Sequence, residues 1–240
     1  MKKTIVYASF IFSALLMACT TSPVRADATL PNIATEIAAE TIAVQVTTIQ
    51  SSGISQAEID GLRYMREEEK LAHDVYMYLY QLWGQNTFQN IAASETIHGE
   101  AILNLLNTYQ IADPAIGLAE GKFVDPALQS LYDQLITTGS QSLADAIKVG
   151  AAIEEIDILD LKNHLEETGV AEIRQVFEEL LKGSYNHLRS FVFVLERQTG
   201  EIYVPQYLSV EEYQSILSGV SNGQGSQGGR GGRGIGGGNR

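Results

Sequence analysis

Glu95 and His98 stand three residues apart in the run Ala93-Ser94-Glu95-Thr96-Ile97-His98. On a helix this spacing puts a carboxylate and an imidazole one turn apart, on the same stripe as Ile91, Ile102 and Tyr109. An acid turned into an apolar core needs a compensating partner, because burying an unpaired carboxylate is costly. A divalent metal ion supplies that partner and also accounts for the i, i+3 spacing. A single Glu-x-x-His pair is a common pattern, however, and a salt bridge on a solvated face produces it equally well.

The pattern gains weight by recurring on three other helical segments. Glu69 falls on the stripe of Leu62, Met65, Ala72, Tyr76 and Trp83, with Glu67 and Lys70 facing elsewhere and Glu68 just off the stripe. Glu154 shares a stripe with Leu143, Ile147, Leu161 and Leu165; Asp157 flanks the same face one turn later and Glu155 points further outward. His187 lies on the stripe of Ile173, Phe177, Leu180, Ser184, Phe191 and Val194. Four segments that each aim an acid or an imidazole inward predict a shared metal site. Oxygen and nitrogen donors without thiolates suit Fe, Mn or Zn, and the residue types alone do not choose among them.

Those side chains need long helices to carry them. Ser55-Gln56-Ala57-Glu58 is a capping-box pattern that opens a first helix running to about Trp83, before Gly84. A second helix spans about Phe88 to Tyr109, with Asp113-Pro114 as its stop. Gly117, Gly121 and Asp125-Pro126, then a short helix to Gly139, read as a long crossover. Ser142 caps a third long helix to about Thr168, and a fourth runs from the break at Gly169 to about Thr199, followed by coil and a short helix near Ser209. The expected class is therefore all-α: two antiparallel helix pairs joined by a long crossover, the connection pattern of ferritin-like four-helix bundles.

The ends of the chain read differently. Lys2 and Lys3 precede an uncharged apolar run from Thr4 to Ala18, a signal segment too short for a good membrane span. Leu16-Met17-Ala18-Cys19 resembles a lipobox and Val24-Arg25-Ala26 offers ordinary cleavage after residue 26; the placement of the single cysteine favours the lipoprotein form. The expected organisation is a signal segment at 1–18, a tether at 19–54, the bundle at 55–199, coil and a short helix at 200–222, and a Gly/Arg-rich tail at 223–240 too polar to bury a core. With 16 Lys and Arg against 29 Asp and Glu, a net charge of -13 argues against nucleic acid or an anionic membrane surface as a partner. One cysteine also excludes a four-thiolate iron site within the chain.

From Leu62 to Glu196 the sequence resembles the ferritin-like superfamily, and within it a group of uncharacterised bacterial and archaeal domains related to rubrerythrin and erythrin-type proteins. The resemblance rests on Arg66-Glu67-Glu68-Glu69-Lys70-Leu71-Ala72-His73-Asp74-Val75-Tyr76, on Ala93 to His98, on Gly150-Ala151-Ala152-Ile153-Glu154-Glu155-Ile156-Asp157, and on Gly183-Ser184-Tyr185-Asn186-His187-Leu188-Arg189. It implies a di-iron centre with Glu69 as a ligand, Glu95 as a bridging carboxylate, His98 as an imidazole ligand, Glu154 as a second bridge and His187 as the second imidazole. The last helix departs from the pattern, which expects a second Glu-x-x-His where Ser184 stands. Either Asp157 replaces the missing carboxylate, or the second metal binds more weakly or not at all.

The expected function is that of an exported, envelope-located protein that oxidises ferrous ion or reduces peroxide or dioxygen. Two iron ions per chain are expected, with manganese as the alternative. Tyr76 is placed beside the metal as a hydrogen-bonding or electron-donating group, His73 as an ion-pair partner, and His164 has no assigned role. Expected partners are metal ions, dioxygen or peroxide, a membrane only through the lipid anchor, and a second copy in a homodimer, with no nucleic acid. The rivals are an envelope-tethered binding or structural module with an incomplete or empty site, and a dimanganese catalase, which turns over peroxide without added reductant.

Overall fold

A computed structural model describes residues 53–219. The signal segment, Cys19, nearly all of the tether and the Gly/Arg-rich tail lie outside the described residues. Within them the secondary structure is helical throughout: α1 (Gln56–Trp83), α2 (Asn86–Thr108), α3 (Pro126–Gly139), α4 (Leu143–Glu167), α5 (Ala171–Thr199) and α6 (Val210–Leu217). No helix among these residues is long and apolar enough to cross a membrane.

Local sequence sets most of the boundaries. The capping box at α1 is complete: the Ser55 hydroxyl accepts from the Glu58 N–H at 3.2 Å and the Ser55 N–H donates to Glu58 Oε2 at 2.7 Å. Asp125, Ser142 and Ser209 cap α3, α4 and α6 through side-chain oxygens. One stop differs from expectation. The chain leaves α2 at Thr108, because Gln110 adopts a left-handed conformation (φ 55°) and the Ile111 N–H closes back on the Leu106 carbonyl at 2.8 Å. Asp113 comes too late to end the helix; it accepts from the Ala115 N–H and pairs with Arg66 of α1.

α1 packs along α2 and α4 along α5; α1 also meets α4, and α2 meets α5, so the four long helices close a ring. Tyr64 touches Asp160 while Tyr76 touches Glu154, so α1 and α4 run antiparallel. Contacts of Ser94 with His187 and of Tyr109 with Glu172 make α2 and α5 antiparallel as well. α2 and α4 are therefore parallel, and the chain must travel back along α2, about 35 Å at 1.5 Å per residue, before α4 can start. Residues 109–142, with α3 inside them, make that return.

Two apolar layers fill the ring. One centres on Tyr76, Phe88 and Phe191, whose ring centroids lie 5.2 to 6.3 Å apart; the other holds Leu62, Met65, Ile102, Leu161, Phe177 and Leu180. Gly150 permits the first, since a Cβ there would fall 2.5 Å from Phe191 Cε1. On each long helix the predicted site residues lie between the stretches that supply these layers, which places the polar groups as a belt across the middle of the core.

Two acids expected to face away from the core are buried. Glu67, 4 % exposed, accepts from the backbone N–H groups of Val124 (2.5 Å) and Asp125 (3.2 Å), tying the crossover to α1. Glu155, fully buried, accepts from the N–H groups of Gln206, Tyr207 and Leu208 at 2.7 to 3.2 Å. A helical wheel assigns such positions to solvent, but here a connecting segment covers them and its unpaired amides satisfy the carboxylates. Glu155→Ala should lower stability by about 3 kcal/mol, because three amides lose a charged acceptor. The checks are a thermal melt, expected to fall by about 10 °C, and hydrogen exchange, expected to speed up at 206–208.

Candidate metal centre

Glu95 occupies the middle of the belt, 4 % exposed, and offers one oxygen to each histidine. Its Oε2 lies 2.7 Å from His98 Nδ1 and its Oε1 lies 2.9 Å from His187 Nδ1. Glu69 Oε2 completes the first side at 3.5 Å from His98 Nδ1, and Glu154 Oε2 completes the second at 3.4 Å from His187 Nδ1. Two triads result, Glu69–Glu95–His98 and Glu95–Glu154–His187, each with ligand atoms within 4.8 Å of one another. The imidazoles stack between them with centroids 5.5 Å apart.

Neighbouring groups fix these side chains. Ser94 Oγ lies 3.0 Å from His187 Nε2, so a proton on Nε2 leaves Nδ1 free to act as a ligand. Tyr76 donates to Glu154 Oε1 from a fully buried hydroxyl. Gly183 of α5 opens the space for the His98 ring, since a Cβ there would fall 2.6 Å from His98 Cε1. Gly183→Ala therefore has two opposite expected effects. It should leave or raise the stability of the metal-free helix by up to about 1 kcal/mol, and by displacing the His98 ring it should weaken metal binding by about 10 to 100-fold. Thermal melts and metal titrations of the same preparation separate the two.

Burial and mutual charge set the electrostatics of these side chains. Burial by itself would raise the Glu95 carboxyl, but the imidazoles of His187 and His98 outweigh it and hold it down at about 2. Burial disfavours charge on His98 and His187, yet the carboxylates around them drive the rings up to about 10 and about 11. Glu69 is pushed well above the usual carboxylate range by burial and by the Asp157 charge, while Asp157 is pushed to about 8 by burial and by Glu154.

Hydrogen bonding gives the test of fit. Glu69 Oε1, Glu95 Oε1, His98 Nδ1 and His187 Nδ1 are all buried and none has a hydrogen-bond partner, although carboxylate oxygens lie within 2.7 to 3.5 Å of both Nδ1 atoms. Buried polar atoms are normally paired. Donor atoms that crowd together without aligning on one another suit a cation at their common focus, so the chemistry of each triad fits a metal ion.

Five of the six predicted ligands thus come together in the two triads. Glu154 belongs to the His187 side only, where the sequence reading made it a second bridge. Asp157 stands outside both triads: its Oδ2 accepts from the Ser184 hydroxyl and its Oδ1 has no partner. Glu68, read as a near miss, is 3 % exposed and lines the same small cavity as Glu69, Glu95, Glu154 and Asp157. His73 contacts Asp74 at 3.0 Å at the half-open surface, and His164 packs over Gly61. Ser94 and Gly183 were not singled out for a role, although both lie inside the motifs; only the approach of α5 to α2 gives them one.

Fold and site together define an all-helical protein with a buried carboxylate–histidine cluster spread over four helices. The chain belongs to the family described as Uncharacterized protein domain (DUF2202), which it matches over residues 58–220, a span that includes every residue of both triads. It is 45 % identical over 173 residues to the uncharacterised protein MJ0754 of Methanocaldococcus jannaschii, covering 72 % of this chain and 93 % of the relative. The crystal structure of the hypothetical protein MJ0754 from Methanococcus jannaschii superposes with a TM-score of 0.67 at 47 % identity, over 69 % of this chain and 94 % of that one.

Proposed function

We propose that the protein is a ferritin-like, dinuclear non-haem metal protein that oxidises ferrous ion or reduces peroxide or dioxygen. The observation that carries this reading is Glu95, whose two oxygens each face a different histidine, with Glu69 and Glu154 on the outer sides. Glu69, Glu95 and His98 would hold one ion, and Glu95, Glu154 and His187 the other. Iron is the metal of this reading, and manganese suits the same donors. A bound iron pair supplies redox equivalents to dioxygen or peroxide. The chain's own part would be to offer one carboxylate, Glu95, to both triads and to shield them between two apolar layers, while the Tyr76 hydroxyl donates a hydrogen bond to Glu154 Oε1.

Metal analysis of the purified domain after aerobic addition of ferrous ion, with oxygen or peroxide consumption recorded, tests the proposal. About two irons per chain with oxidant consumed supports it, and one or none without turnover counts against it. Peroxide turnover with manganese and no reductant would redirect the reading to a catalase. A second reading, a tethered ferritin-like module with an incomplete site, is favoured by Ser184, which stands at the position of an expected carboxylate. The amino-terminal pattern supports export and a lipid anchor at Cys19; the mass of the mature amino terminus in cells decides between acylated Cys19 and cleavage after Ala26.

A further inference from the structure

Three acids adjoining the cluster have no cationic partner, although Asp157 Oδ2 accepts from the Ser184 hydroxyl. Glu68 is buried and its Oε2 has no hydrogen-bond partner. Asp157 is buried and its Oδ1 has none either. Asp160, half-buried, accepts from the Tyr64 hydroxyl at 3.1 Å. Among the described residues no ion pair with Lys, Arg or His includes any of the three. This sets them apart from Glu67 and Glu155, which loop amides satisfy, and from Asp74, which Lys70 and the Gly121 N–H satisfy.

Their order in space is informative. Glu154, Asp157 and Asp160 follow at three-residue steps down α4, about 4.5 Å of rise each, while Glu69, Glu68 and Tyr64 descend the facing side of α1. Glu68 and Asp157 line the same small cavity as Glu69, Glu95 and Glu154, and Asp160 lies a further step towards solvent. Glu68 Oε2 and Asp157 Oδ1, both buried and without a hydrogen-bond partner, are the free oxygens beside that cavity.

We propose that Asp160, Glu68 and Asp157 form the route by which a divalent cation enters the dinuclear cluster, with Glu68 and Asp157 holding a third, weaker cation position beside it. The proposal rests on the dinuclear reading above. A line of acids without cationic partners, leading through low-dielectric walls, concentrates cations and speeds their capture, by 10 to 10³-fold in general.

The test is a stopped-flow and equilibrium titration of metal-free protein with Co²⁺, comparing wild type with Glu68→Gln, Asp160→Asn and Glu95→Ala. Glu68→Gln and Asp160→Asn should still bind the two tight ions but fill them about tenfold more slowly, and Glu68→Gln should lose a third, weaker ion that wild type and Glu95→Ala both take. Unchanged loading rates and unchanged stoichiometry in Glu68→Gln and Asp160→Asn would overturn the route while leaving the dinuclear reading standing. Loss of the tight pair without loss of the weak ion in Glu95→Ala supports the third position independently. No uptake by wild type would remove both readings. Melts of the metal-free variants control for folding; Glu68→Gln keeps the side-chain shape and removes a buried acid, so no loss of stability is expected.

Discussion

On the proposed dinuclear reading, Glu95→Ala should take the protein from about two bound metal ions per chain to none at micromolar metal, while leaving its helices intact. Both triads use the same carboxylate, so one substitution removes a ligand from each. Glu69→Ala and Glu154→Ala should each remove only one ion, because each residue serves one triad. Alanine is the best helix former, so α2 itself gains rather than loses. The two imidazoles left behind can shed their protons, which limits the cost of stranding them. The measurement is elemental analysis alongside circular dichroism and metal-dependent melting. Wild type at 100 times the dissociation constant should be stabilised by about 2.7 kcal/mol per ion, and Glu95→Ala by nothing measurable. Equal metal content in the variant would remove Glu95 from the centre.

The second large effect is on pH. His98 and His187, held at about 10 and about 11, are protonated at neutral pH in the metal-free protein, and a metal ion needs both rings neutral at Nδ1. Metal uptake at pH 7 should therefore release at least two protons per chain, with Glu69 adding to the two rings, read with an indicator dye in weak buffer, and apparent affinity should fall as pH falls. The stability of the metal-free protein follows the opposite direction. Both histidines are raised above their unfolded value of 6.5, so their contribution is complete below about 6.5 and is lost as pH rises towards 10 and 11. Asp157, raised to about 8, adds a loss over the range between its unfolded value and 8. Glu95, depressed to about 2, acts at the other end: its contribution is present above the unfolded value of 4.5 and disappears as pH falls through 2. The metal-free melting temperature should thus drop by about 20 °C between pH 7 and 9.5. The metal-loaded form, whose histidines carry no ring proton to lose at Nδ1, should drop much less.

Much of the helical frame can be read along the chain because its signals are local. Ser55, Asp125, Ser142 and Ser209 are side-chain caps, Gly84 and Gly200 take left-handed conformations after α1 and α5, and the 3.6-residue stripes give four long helices. Glu69, Glu95, His98, Glu154 and His187 are likewise visible as polar residues interrupting apolar stripes. A sequence alone therefore determined that an acid or an imidazole would point inward from each of four helices, for the elementary reason that side-chain direction repeats with the helical turn.

Only the tertiary structure decided how those groups are shared. That Glu95 faces both histidines while Glu154 faces one depends on how α2 sits between α1 and α5, which no single-helix periodicity contains. The same limit hid Glu68, Glu67 and Glu155: one lines the cavity, and the others anchor the crossover and the segment before α6. It also hid the purpose of Gly183, whose missing Cβ matters only because His98 comes from another helix. Helical periodicity records whether a side chain faces away from the helix axis towards an apolar stripe, whereas burial on the remaining faces, and the atom that meets each polar group there, are set by segments distant in the chain.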